Sequence, residues 1–380
     1  MIYFDNSATT KPYPEVLDSF IKVSNEYYGN PSSLHGLGGR SEQLLTQARA
    51  QIASILKVNP SEIYFTSGGT ESNNLAVKGT AFMPKNRGQH LITTKIEHPS
   101  ISNAMEQLEQ MGFAVTYLPV DQYGVVRVED VEKAIRPDTI LLSIMYVNNE
   151  IGTIQPINEI GKLLKKFPKV IFHVDAVQAV GKMTIDLKEM GVDLFSVSAH
   201  KFHGLKGVGA LFIKDGVKLS SLNSGGNQEN NIRSGTENVA GAVSMAKALR
   251  ISNEKIQKDS KSLQEIQKIL VKRLSEISGI SIHTSPEQAV SYILNFSVEW
   301  MNAETFIHAL ELEGIYASTT SACSSKRKTP SKTLLAMGVS EQLAQSAIRV
   351  SLSFENTLEE ALTFIEVVKK MANQYGKVRM

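Results

Sequence analysis

Between about residues 60 and 215, short apolar runs alternate with stretches whose apolar residues recur at helical spacing. The runs at 63–66, 91–94, 114–118, 140–147, 170–174, 194–198 and 209–213 are bounded mostly by turn or polar residues, and several are rich in β-branched side chains. That pattern predicts strands. Helices are expected between them, at 72–79, 101–111 and 157–167. Such alternation predicts an α/β fold, with a mostly parallel seven-stranded sheet flanked by helices on both faces. A Gly-, Ser- and Asn-rich stretch at 224–238 reads as a functional loop, and a long helical pattern follows at 239–277. The remainder predicts a smaller α+β unit: strands at 292–296, 315–317 and 348–351, and helices at 303–312 and 358–371. The expected division is a large domain over 16–250 and a small domain built from 1–15 and 251–380.

Composition narrows the picture by exclusion. The chain has 380 residues, 42% hydrophobic and 21% charged, an ordinary globular balance. A net charge of +2 gives no global field that would point to direct nucleic-acid binding or a membrane surface. No apolar run reaches the roughly 18–20 residues of a membrane span. The N-terminus has no basic region followed by an apolar stretch, so a cytoplasmic protein without a signal peptide is expected. The single cysteine, Cys323, cannot form an internal disulfide and is either inert core or a reactive thiol.

In open α/β sheets, ligands bind beyond the carboxyl ends of the strands. The polar clusters that follow strands therefore matter most. Ser198-Ala199-His200-Lys201 follows one strand, and Lys201 stands between His200 and His203. Desolvation and nearby positive charge lower a lysine pKa and free its amine for a Schiff base. Asp175 ends another strand, and a carboxylate there can keep a pyridine nitrogen protonated. Gln178, three residues on, can donate to a ring hydroxyl oxygen. Gly68-Gly69-Thr70 lies between a strand and a helix, where backbone N–H groups and a helix N-terminus favour a phosphate. His98, at a further strand exit, can stack on a flat ring and shuttle protons. Asn148 can bond a ring oxygen or merely shape its turn. Taken singly, each has a plainer reading as a surface lysine, a helix cap, a turn or a structural histidine.

Two features lie outside this set. Cys323 sits in a small, polar stretch, and Lys326, Arg327 and Lys328 favour its thiolate. Arg349 is a charge within an apolar strand and needs a partner; a substrate carboxylate would serve through bidentate pairing.

Taken together, the motifs resemble the class V, fold-type I pyridoxal-phosphate enzymes, specifically the cysteine desulfurases of the NifS/IscS type. The resemblance rests on Asp5 to Thr10, Gly29 to His35, Thr66 to Asn73, Glu97-His98, Val147 to Gly152, His173 to Gln178, Ser196 to Gly209, Arg233 to Thr236 and Ser321-Ala322-Cys323. The long loop around Cys323 resembles the group I members. The resemblance implies conversion of L-cysteine to L-alanine, with sulfur held as a persulfide on Cys323 and passed to an acceptor protein in iron–sulfur cluster assembly or tRNA and cofactor thiolation. It implies Lys201 as the Schiff-base lysine, His98 stacked on the pyridoxal 5'-phosphate ring and Asp175 at the ring nitrogen. Gln178 and Asn148 are implied at the ring oxygen, and Gly69, Thr70, Ser198 and His200 at the phosphate. Thr236 would reach the phosphate of a second subunit, which implies a homodimer. Arg349 matches the residue for the substrate carboxylate. The chain departs from the family in having Thr320 for a common glycine, Leu205 for a common proline, and the basic run at 326–328. A selenocysteine lyase or an aminotransferase of the same fold is the alternative.

Overall fold

The computed structural model describes residues 1–83, 88–319 and 330–376. In chain order the elements are β1 (Ile2–Tyr3), α1 (Pro14–Glu26), α2 (Gly36–Leu56), β2 (Ile63–Thr66), α3 (Gly69–Ala81), β3 (His90–Thr94), α4 (Pro99–Gln110), β4 (Ala114–Leu118), α5 (Val128–Ala134), β5 (Thr139–Met145), α6 (Ile157–Leu164), β6 (Ile171–Asp175), α7 (Leu187–Met190), β7 (Leu194–Ser198) and β8 (Gly209–Ile213). The second half continues with α8 (Val239–Ser275), β9 (Ile280–Ile282), β10 (Ile293–Val298), α9 (Ala303–Leu312), β11 (Ile315–Tyr316), β12 (Ser318–Thr319), α10 (Lys332–Ala336), α11 (Glu341–Gln345), β13 (Ala347–Ser351) and α12 (Leu358–Tyr375).

Seven strands form one sheet in the order β2-β8-β7-β6-β5-β3-β4. All neighbours are parallel except those of β8, which runs antiparallel to both β2 and β7. Adjacent side chains along a strand enter opposite cores, as the two-residue period of a strand requires. Leu91, Leu141, Leu194 and Leu211 join one buried cluster, while Ile92, Leu142, Phe195 and Phe212 join the other. Burial on both faces explains why these strands are near-continuous apolar runs in the sequence. Buried polar side chains within the sheet are tied down. The His173 ring lies 2.8 Å from Ser143 Oγ and 2.9 Å from Ser196 Oγ, and burial pushes its pKa down to about 3.

A second sheet has the order β12-β13-β10-β9 with antiparallel pairing, and β1 pairs in parallel with β11. The N-terminal strand thus joins the C-terminal part of the chain, and Asp5 bridges to Ser351. The helix α8 runs as one continuous element of 37 residues across position 250 and packs against α1, α2 and α12. Because β2, β3, β5, β6 and β7 are parallel, their carboxyl ends share one edge of the large sheet. The site lies there.

Candidate active site

A cavity of about 490 Å³ opens at this edge. The start of α3, just after β2, contributes Gly69 and Thr70, the turn after β3 contributes His98, and β6 ends in Asp175 with Gln178 just beyond. Ser198 closes β7, followed by His200 and Lys201, and Arg349 enters from β13 of the second sheet. Ser7, Ala8 and Thr9 of the N-terminal turn complete the wall.

The helix α3 begins at the cavity, and the chain reaches it through Gly68 at φ 148°. A Cβ on Gly69 would stand 2.7 Å from Val177 Cγ2, so glycine is what allows the two turns to close on each other. The free N–H groups of the first helical turn, the Thr70 hydroxyl and Ser198 surround a place suited to an anion. His200 Nδ1 lies 3.2 Å from Thr9 Oγ1. Burial, together with Lys201, Lys182 and Lys206, pushes its pKa down to about 3, so the ring is neutral at ordinary pH.

Lys201 Nζ donates to the backbone oxygens of Ser7 at 2.6 Å and Ala8 at 2.8 Å. Asp175 is buried; its Oδ1 accepts from Val177 N at 3.0 Å and its Oδ2 from Asn73 Nδ2 at 2.7 Å. Asn73 Nδ2 also donates to Ser100 Oγ at 2.8 Å, and Ser100 Oγ lies 2.8 Å from His98 Nδ1. The Ser100 backbone N–H donates to that same Nδ1 at 3.2 Å. Two donors on Nδ1 assign the His98 proton to Nε2. Burial lowers the His98 pKa, Asp175 opposing and Lys201 reinforcing the shift.

Arg349 is only 2% exposed, and the partner that its burial demands is Asp5. Nη2 pairs with Asp5 Oδ1 at 2.9 Å, and Nη1 donates to Asn149 O at 3.0 Å. Burial raises the Asp5 carboxyl above the usual range, and Arg349 and Lys201 offset part of that rise. Glu97, next to His98, is also buried. Its Oε1 accepts from Thr94 Oγ1 at 2.8 Å and Met145 N at 3.0 Å, and burial pushes its pKa up to about 8.

One expected residue, Asn148, does not reach the cavity wall. Asn148 is fully buried beneath the turn, and Asn149 and Val147 line the cavity instead. The Asn148 amide is spent locally: Nδ2 donates to Ile96 O at 3.1 Å, while Oδ1 accepts from Glu150 N and Ile151 N at 2.8 and 3.1 Å. Thr236 is exposed and borders a separate crevice of about 160 Å³, which meets the main cavity at Ser67 and Gly207. Cys323 lies outside the described residues, as do Thr320, Lys326, Arg327 and Lys328. Sequence reading passed over Asn73 and Ser100, whose side chains matter only through contacts made by the fold. Among the described residues, no group of three or more His, Cys, Asp or Glu side chains could hold a metal ion, and no helix is long and apolar enough to cross a membrane.

The donor set suits a flat aromatic ring that carries a phosphate at one end and a basic nitrogen at the other, with an amine available to bond it covalently. The Aminotransferase class-V family model matches residues 2–364. A NifS/IcsS protein homolog of Lactobacillus delbrueckii subsp. bulgaricus is 48% identical, covering 100% of this chain and 99% of the relative. The cysteine desulfurase IscS of Methanosarcina thermophila is 43% identical over 98% of this chain and 92% of its own. A solved structure titled NifS-like protein superposes with a TM-score of 0.92 at 40% identity, covering 98% of this chain and 99% of that one. The chain therefore belongs to the class-V aminotransferases, a pyridoxal-phosphate-dependent family.

Proposed function

We propose that this protein is a cysteine desulfurase, converting L-cysteine to L-alanine and holding the sulfur as a persulfide on Cys323. The observation that carries this reading is the meeting of Lys201, Asp175, His98 and the α3 N-terminus with Arg349 around one cavity. Relatives named cysteine desulfurase align over nearly the whole chain.

Pyridoxal phosphate, when bound, supplies the electron sink that stabilises negative charge at the substrate α-carbon. In this reading Gly69, Thr70, Ser198 and His200 hold its phosphate. Asp175 would keep a proton on the ring nitrogen, and Asn73 and Val177 N fix its carboxylate in place. His98 would cover the ring, and because Nδ1 is occupied, Nε2–H is the donor it would have left to offer. Gln178 borders the cavity that would hold the ring, whereas Asn148 would act indirectly by shaping the turn that presents Asn149. Arg349 binds the substrate carboxylate, so Asp5 must share or yield its guanidinium when substrate arrives. Lys201 Nζ takes the α-proton, the base work being worth roughly 10²–10⁴-fold.

The Cys323 thiolate then attacks the substrate sulfur. A sulfur–sulfur bond forms, the carbon–sulfur bond breaks with its electrons kept by the β-carbon, a proton is added there, and Lys201 returns the α-proton to complete alanine. The basic residues Lys326, Arg327 and Lys328 favour the thiolate that begins this step. An acceptor protein takes the sulfur afterwards, in iron–sulfur cluster assembly or in tRNA or cofactor thiolation, in the cytoplasm. The placement of Thr236 outside its own chain's main cavity supports a role across a homodimer. We divide the chain into the PLP-binding domain 16–250 and a small domain of 1–15 and 251–380 that carries the cysteine segment.

Lys201→Ala tests the cofactor assignment. The variant is expected to lose the visible-range absorbance of the purified enzyme; an unchanged spectrum refutes Lys201 as the attachment point.

A further inference from the structure

The loop between β8 and α8 carries Thr236 and is tied to the sheet at two places. The first is Glu229, which is buried. Its Oε1 accepts from Arg49 Nη2 at 2.7 Å, and its Oε2 accepts from Arg49 Nη1 at 2.8 Å and from Phe65 N at 3.0 Å. Arg49 Nη1 also donates to Ile63 O. β2 is an edge strand, so alternate N–H and C=O groups along it have no ladder partner. The Arg49–Glu229 pair takes the place of a neighbouring strand for Phe65 and Ile63. With that end fixed, Glu229, Asn230 and Asn231 stand in succession at φ 44°, 53° and 65°. Such a left-handed run of residues bearing a Cβ persists only where surrounding contacts impose it.

The second place lies at the start of α3. Arg233 Nε donates to Glu71 Oε1 at 2.8 Å, and Glu71 Oε2 accepts from Ser67 N at 2.8 Å. Glu71 stands in the first turn of α3 and borders the main cavity together with Ser67. Arg233 and Thr236 border the neighbouring crevice, and Ser67 borders both. The stretch from Arg233 to Thr236 is braced further. Ser234 Oγ donates to Gly226 O at 2.7 Å, and Gly235 N donates to Gln228 Oε1 at 3.2 Å. One carboxylate thus bridges the turn assigned to the phosphate and the segment that carries Thr236. By its charge alone, an acid in the wall of an anion site weakens anion binding. Any gain from Glu71 therefore comes through what it holds.

We propose that Glu71 is a positioning residue: through Arg233 it sets the segment that carries Thr236, placing that hydroxyl for the cofactor phosphate bound by a second subunit. The inference rests on the reading of Thr236 as that cross-subunit contact. The test is the apparent dissociation constant for pyridoxal phosphate, read from visible absorbance as cofactor is returned to the purified full chain. Thr236→Val removes the hydroxyl and is expected to weaken binding roughly three- to tenfold. Glu71→Gln removes an anion, yet it is expected to weaken binding too, by no more than Thr236→Val does. Because Glu71 acts through Thr236, the double variant is expected to match Thr236→Val alone rather than multiply the two losses. Arg233→Gln breaks the same pair from the other side, with the same two expectations, and carries the test should Glu71→Gln fail to fold. A Thr236→Val variant of wild-type affinity overturns the reading of Thr236 and the inference with it. If Thr236→Val is weakened, a pair-breaking variant that binds as well as wild type or better, or a double variant that multiplies both losses, overturns the inference alone.

Discussion

Glu97 lies in contact with the strand ends beneath the site, and its carboxyl titrates near 8 rather than near 4.5 because burial penalises its charge. Between those values the folded protein binds a proton that the unfolded chain has lost, so stability falls as pH rises through that window. Glu97→Gln removes the ionisation. The variant's unfolding free energy should decline less steeply between pH 5 and 8, by on the order of 1 kcal/mol per unit; parallel curves from denaturant titrations would contradict the assignment. Arg349 yields a second prediction at this scale. Arg349→Lys keeps a cation but loses the planar fork, so the KM for L-cysteine should rise roughly 10–100-fold with a smaller change in kcat. Arg349 was legible in the sequence as a charge inside an apolar strand. Its partner Asp5 was not, because the two are joined only when the N-terminal turn meets β13. The same holds for Asn73 and Ser100: nothing in their spacing shows that one amide links Asp175 to Ser100.

The strands of the large sheet were legible because burial on both faces leaves apolar runs between turn signals. The runs read at 63–66, 114–118, 194–198 and 209–213 coincide with β2, β4, β7 and β8. Periodicity does not reveal direction, however, and β8 returns antiparallel between β2 and β7. The helices α1 and α2 went unread. The first turn of α2 contains Gly36, Gly38 and Gly39, which weaken any helical signal. Helix α3 starts three residues earlier than its apolar pattern, since Gly68 turns the chain so that the first turn faces the cavity. This geometry depends on β8 as well: a Cβ on Gly209 would stand 2.6 Å from Gly68 Cα and 2.7 Å from Val197 O. Gly209→Ala should therefore cost about 1–3 kcal/mol of stability and push the phosphate-binding turn out of place. Thermal melts with and without added pyridoxal phosphate check this. A wild-type melting curve and unchanged cofactor retention would show that the two segments do not press on each other.

At the level of the whole molecule, the large α/β sheet and the smaller α+β unit both follow from the alternation of the sequence. How the termini close does not. β1 pairs with β11, more than three hundred residues away, and so brings Ser7 and Ala8 to Lys201. The proposed homodimer makes a simple prediction for the 41.7 kDa chain: sedimentation of the holoenzyme should give twice that mass. A monomer that retains full cofactor would remove the cross-subunit role of Thr236. The account as a whole turns on sulfur leaving L-cysteine for the thiol of this chain. Wild-type holoenzyme given ³⁵S-labelled L-cysteine without an acceptor, then alkylated and digested, measures this directly. The predicted result is label on the peptide containing Cys323, released by thiol reductant and matched by an equal amount of alanine. Alanine formed with no label on that peptide, or label retained with no alanine, would contradict it.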